Sequence, residues 1–171
     1  TNAVLLNFQT FMAHALDGFA YAVEAMGGRA IGARDRDAFR EAVRVSMLWG
    51  TIVAIGFSLV YLMGGSAIVD LLTGIDDVRD AAREYISWSV VMPLIAVFPF
   101  ILDGVYLGAA RGRTMRNAMI ASLVTYLVAC FFFVPAWGNH GLWASLLIFM
   151  GARGITLGLR YPALQRSVGA A

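Results

Sequence analysis

The sequence predicts an all-α integral membrane protein with about five transmembrane helices. Apolar residues make up 60% of its 171 positions, against roughly 45–50% in average soluble domains. Charged residues are only 14%, and mean hydropathy is +0.72. The apolar residues gather into runs near or above the roughly 18–20 residues that cross a hydrocarbon core.

The runs define a single membrane domain, 1–171. Span A covers about residues 3–27 and is followed by the arginine-rich link RAIGARDRDAFREAVR. Span B covers about 45–72 and leads to the acidic link TGIDDVRDAARE. Span C, about 86–110, contains Pro93 and Pro99, and the basic link RGRTMRN follows it. Span D covers about 118–134, and the turn PAWGNHG joins it to span E, about 142–160. Gly104, Gly108 and Gly112, and again Gly154 and Gly158, stand four apart, a spacing that lets helices approach closely in lipid. The links AIGARDRDAFREAV and LGAARGRTMRNAMI resemble each other. An internal repeat would produce this likeness; so would two short arginine-rich links by chance.

All thirteen basic residues are arginine. Arg29, Arg34, Arg36, Arg40, Arg44, Arg111, Arg113, Arg116, Arg160 and Arg166 fall on one side of the spans. The other side holds only Arg79 and Arg83, among Asp76, Asp77, Asp80 and Glu84. The excess of arginine on the first side predicts that it is cytoplasmic, with the N-terminus outside and the C-terminus inside. The chain starts at Thr1 and enters an apolar run at once, with no charged n-region or cleavage site. A piece of a longer protein with further spans upstream is therefore expected.

Several function classes are excluded or left without support. A net charge of +2 implies no nucleic-acid partner. Cys130 has no second cysteine to pair with and sits in an apolar run, as a small packed residue. No P-loop, G-x-S-x-G or H-E-x-x-H motif is present, so nucleotide-driven or soluble hydrolytic chemistry has no support. No histidine or cysteine pair has metal-ligand spacing.

Polar residues on span A are the informative ones. Asn7, Thr10, His14, Asp17, Tyr21, Glu24 and Gly28 alternate at three and four residues, which places them on one helical face. Leu5, Leu6, Phe8, Phe11, Met12, Leu16, Phe19 and Val23 occupy the others. An Asp at the centre of a spanning helix costs at least about 2.5–3.5 kcal/mol. The stripe is therefore expected to face a bundle interior or a water-filled cavity. A carboxyl in such a place can exchange a proton, and an entering cation would favour its charged form, so proton and substrate would compete. Asp17 and Glu24 also read as neutral hydrogen-bonded acids without a transport role, and Glu24 as a residue near the cytoplasmic edge.

Asp103 lies in span C, four residues after Pro99. Proline removes a backbone donor, leaving the carbonyls of Ser89 and Ile95 free, as happens where a helix lines a cavity. His14 reads as a hydrogen-bonded partner as well as a ligand, and His140 as a solvated turn residue. Arg153, inside span E, is expected either to snorkel to the edge or to pair with a buried acid. The tryptophans Trp49, Trp88, Trp137 and Trp143 read as packing or interfacial residues.

The motifs LDGFAYAVEAMGGRAIGARD and ILDGVYLGAARGRTMRNAM, and the ending GNHGLWASLLIFMGARGITL, resemble the multidrug and toxin extrusion (MATE) transporters. The nearer likeness is to the branch typified by DNA-damage-inducible protein F. That family folds as twelve helices in two six-helix lobes, an inverted V around a central cavity. The resemblance covers nearly the whole chain and places it in the second lobe, from helix 8 to helix 12, with the first lobe and helix 7 outside it. It implies secondary export of cationic or amphipathic compounds against protons or Na+, with no other cofactor. Its partners would be a small organic cation, the lipid bilayer and the N-terminal lobe. Asp103 matches the helix-10 acid of the family and Glu24 an acidic position on helix 8; Asp17 belongs to the LDG motif of the branch. His14 and Tyr21 complete the candidate substrate and cation face. The implied location is a prokaryotic plasma membrane, and the chain is not expected to be an enzyme. A lipid-linked-precursor flippase of related fold, an integral-membrane enzyme and a structural subunit remain as alternatives.

Overall fold

The structure, a computed structural model, describes residues 2–169. Among these residues the chain folds as five helices: α1 (Asn2–Gly32), α2 (Arg36–Leu72), α3 (Asp76–Gly108), α4 (Gly112–Trp137) and α5 (Asn139–Ser167). Helices of 26 to 37 residues are roughly 40 to 55 Å long at about 1.5 Å per residue, longer than the hydrocarbon core of about 30 Å.

The links expected from the sequence are largely helix. The α1–α2 corner is confined to 33–35, because Asp35 caps α2 by accepting the Ala38 N–H at 2.9 Å and Asp37 sits in the positive first turn. The charged residues of DRDAFREAVR are exposed while Phe39, Ala42 and Val43 are buried. The segment is an amphipathic start to a helix, and its high charge hid that from a hydropathy reading. The acidic link likewise begins α3, with Asp76 and Asp77 in its first turn. The expected turn PAWGNHG reduces to Gly138, at φ 55° and ψ −126°.

Four helices, α2 to α5, are long and apolar enough to cross a membrane. The first helix is not among them, because its polar stripe lowers its apolar content. The outer faces of α2 and α4 expose Ile55, Leu59 and Leu62, and Val124, Leu127 and Phe131. That apolar exterior suits lipid.

The third helix is the centre of the bundle. A Cβ at Gly104 would strike the backbone of Ala20, and one at Gly108 the backbone of Glu24, so α1 and α3 cross with backbones in contact and run parallel. On its other side α3 meets α5, again parallel: Gly154 packs on Pro99, where a Cβ would come within 3.3 Å, and the Tyr106 hydroxyl donates to the Leu157 carbonyl at 2.8 Å. The second helix runs against both α1 and α3: the Tyr61 hydroxyl donates to the Phe8 carbonyl at 2.7 Å and Ser58 to that of Val90 at 2.7 Å. Gly112, expected to continue the close-contact run, opens α4 and has open space around it. The helix α3 runs unbroken through Pro93 and Pro99, both buried.

This order brings the arginine-rich segments to one end. Arg111 donates to Ser167 at 3.3 Å, and Phe39 stacks on Tyr161. At the other end Asp70 joins Arg83 at 2.7 Å and Arg79 at 3.5 Å, an ion-pair cluster between the end of α2 and the start of α3.

The two similar links share one backbone geometry. The Ala33, Arg34 and Asp35 amides donate to the carbonyls of Arg29, Ile31 and Ala30. The Ala109, Ala110 and Arg111 amides donate to Val105, Leu107 and Tyr106 in the same pattern. Arg34 and Ala110 are also the two non-glycine residues with positive φ among those described, at 57° and 55°. The geometric register pairs residue 34 with 110, one position from the pairing that the letters suggest. It aligns Gly28 and Gly32 with Gly104 and Gly108.

Candidate functional site

Asp103 is not a free carboxylate. Arg153 reaches it from α5 with two bonds, Nη2 to Oδ2 at 2.8 Å and Nε to Oδ1 at 3.3 Å. The side chains retain 25% and 16% of their exposure. The third arm of the guanidinium, Nη1, points to the Met119 sulfur on α4 at 2.8 Å. The ion pair therefore ties α3 to α5 and touches α4. Arg153 takes the second of its two expected roles, pairing with a buried acid. The signal available was its position: an arginine well inside an apolar span must find an anion, and Asp103 is the acid inside α3.

The α1 stripe is coherent but faces away from the core of these five helices. Buried residues on α1 are Leu5, Phe8, Met12, Leu16, Ala20, Val23, Gly27 and Ala30, on the opposite side from most of the stripe; Gly28, at its end, lies against the Gly108 backbone of α3, where a Cβ would come within 3.2 Å. His14 is exposed, and its Nδ1–H donates to the Thr10 carbonyl at 2.7 Å, which occupies that nitrogen. Tyr21 is exposed. Asp17 and Glu24 are half-buried, and among the described residues neither has a hydrogen-bond or ion-pair partner.

A small cavity opens between the start of α1 and helices α4 and α5. Asn2 and Leu6 of α1, Tyr126 of α4 and Leu142, Trp143 and Leu146 of α5 line a cavity of about 220 Å³. The first helix thus faces α4 and α5 across a gap. Leu6, Ala13, Asp17 and Glu24 follow at seven, four and seven residues and so share one line along the helix, while the cavity itself meets α1 at Asn2 and Leu6. Asp103 lies one residue from Gly104, where α3 touches α1, and is bonded to Arg153 of α5. No bond joins Asp103 to Asp17, Glu24, His14 or Tyr21 among the described residues.

His140 differs from expectation. Its Nδ1 accepts the Trp88 indole N–H at 3.0 Å, its Nε2 lies 3.4 Å from Glu84, and its ring packs 4.4 Å from that of Tyr85. It joins the start of α5 to α3 rather than standing in solvent. Trp143 is buried and donates to Asn2 at 3.2 Å, while Trp49 and Trp137 are exposed, as interfacial residues are. Among the described residues no group of three or more His, Cys, Asp or Glu could hold a metal ion.

Comparison with known proteins agrees with the motifs. The chain is 42% identical over 156 residues to DNA damage-inducible protein F of Escherichia coli (strain K12), covering 91% of this chain and 34% of that protein. It is 30% identical over 161 residues to a probable multidrug resistance protein NorM of Xanthomonas axonopodis pv. citri, covering 87% of this chain and 33% of that one. A probable NorM of Xanthomonas campestris pv. campestris is similar to the same degree. The chain spans about a third of the length of these curated relatives. No solved structure matches it. With the MatE family model matching residues 2–132, and an all-helical bundle carrying the motifs, this chain belongs to the MatE, or multidrug and toxin extrusion, family.

Proposed function

We propose that this chain is the C-terminal lobe portion, helices 8 to 12, of a secondary transporter. It exports cationic or amphipathic compounds in exchange for protons or Na+. The observation that carries the reading is the exposed polar face of α1. Two carboxylates without a partner among the described residues, on a helix packed among lipid-suited helices, cannot border hydrocarbon, so they border water or the remainder of the transporter. Asp103 is the exchange site, where a cation and a proton compete for one carboxylate. Asp17 and Glu24 line the approach with His14 and Tyr21, and supply the negative charge that attracts a cation. The apolar cleft lined by Leu6, Trp143 and Leu146 suits the hydrophobic part of an amphipathic substrate. Alternating access comes from rocking of two lobes about the fixed site. The arginine-rich ends of the helices face the cytoplasm of a prokaryotic cell, by the positive-inside rule.

The test uses the protein expressed from its complete native reading frame. Efflux of a fluorescent organic cation is followed in proteoliposomes under an imposed proton gradient or an imposed Na+ gradient. Wild-type protein should export under one of them, which names the ion. Asp103→Asn should insert normally and lose export. Export by Asp103→Asn at the wild-type rate would overturn the site.

A further inference from the structure

We infer that Arg153 is a tethered competitor for the Asp103 carboxylate, displaced whenever a transported cation or a proton takes the site. The inference rests on the reading of Asp103 as the exchange site. In the structure both oxygens of Asp103 are engaged by one guanidinium, through Nη2 at 2.8 Å and Nε at 3.3 Å. An arriving cation therefore meets no bare carboxylate. It must replace two charge-assisted hydrogen bonds, the stronger kind. Arginine stays charged at any physiological pH, so the competitor cannot be titrated away and must be moved.

Three features distinguish this pair from a purely structural clamp. A buried ion pair holds two helices firmly when the rest of its hydrogen-bonding capacity is satisfied in a dry interior. Here both partners keep solvent access, 25% for Asp103 and 16% for Arg153. Among the described residues the remaining guanidinium arm meets the Met119 thioether, a weak acceptor. And α1, in backbone contact with α3 at Gly104, one residue from Asp103, carries two carboxylates, Asp17 and Glu24, that have no partner among the described residues and whose field attracts a released cationic side chain. Holding Arg153 on Asp103 is one state, and Arg153 free with the carboxylate protonated or cation-bound is the other. Because proton and substrate cation each require the second state and occupy the same oxygens, they exclude one another, which is what exchange demands.

The test measures binding of tetraphenylphosphonium to the purified protein from the complete reading frame. Removing the competitor with Arg153→Gln should tighten binding by about tenfold or more, the scale of one charge-assisted contact. Arg153→Lys should fall between it and wild type, and Asp103→Asn should lose binding. A second readout uses the unaltered protein: adding tetraphenylphosphonium should increase phenylglyoxal modification of Arg153, followed by peptide mass spectrometry. If Arg153→Gln fails to fold, this labelling decides alone. Unchanged or weaker binding in Arg153→Gln, or labelling that does not rise, would make Arg153 a clamp and overturn the inference. Wild-type binding by Asp103→Asn would instead remove the exchange site itself, a separate failure.

Discussion

At the scale of single residues, the Asp103–Arg153 pair governs what substitution does. Removing either partner strands a charge among apolar helices; removing both strands none. Asp103→Asn and Arg153→Gln should each lower stability by about 2 kcal/mol, and the double variant by clearly less. A double-mutant cycle by chemical denaturation in detergent would check this, with additive losses as the contrary outcome. The same pair explains what could be read in advance. Asp103 stood out as an acid one turn beyond a proline. Arg153 had two destinations in the sequence, the membrane edge or a buried acid, and nothing local separates them. The choice was made by the α3–α5 crossing, which sets the guanidinium fork opposite the carboxylate.

At the scale of elements, glycine positions sort into those that touch a neighbouring backbone and those that do not. Gly108→Ala should force α1 from α3, since its Cβ meets the Glu24 backbone, at a cost of about 1–3 kcal/mol. Gly112→Ala, with open space around the new methyl group, should change stability by less than about 0.5 kcal/mol. Thermal unfolding of the two variants side by side would show it, and equal losses would refute the α1–α3 contact. Gly138→Ala should also destabilise, by about 1–3 kcal/mol, because φ of 55° with ψ of −126° suits only glycine. Helix existence was legible from apolar runs. Helix ends were not, because hydropathy stops at the membrane edge whereas the backbone continues for as long as caps and an amphipathic face sustain it, as Asp35 and Phe39 do for α2.

At the scale of the whole molecule, exposure has two chemistries. The outer faces of α2 and α4 are apolar, whereas the free face of α1 carries the polar stripe beside exposed Leu6, Phe11 and Met26. In a Cys130→Ala background, Asp17→Cys and Glu24→Cys should react readily with a water-borne, membrane-impermeant thiol reagent in the bilayer. Leu59→Cys and Leu127→Cys, on the apolar faces, should react slowly. Similar rates at all four positions would mean that the α1 stripe borders no water path. The shared backbone pattern at 29–35 and 105–111 adds a second whole-molecule property. The pairs α1–α2 and α3–α4 turn the same corner, so the bundle reuses one device at the end where its arginines gather.

The sequence by itself determined the class of the protein, the number of helices, the segregation of arginine to one side and the single face of α1 that carries Asn7, Thr10, His14, Asp17, Tyr21 and Glu24. These follow from composition and from the helical period, which are local. Tertiary structure decided which way that face points, that His140 is held between Trp88 and Glu84, and that the acid at Asp103 is met by Arg153. Those are contacts between residues some fifty positions apart; the glycine spacing announces close approach, but which helix Gly104, Gly108 and Gly154 each meet is set by the packing of the whole bundle, which no local pattern encodes.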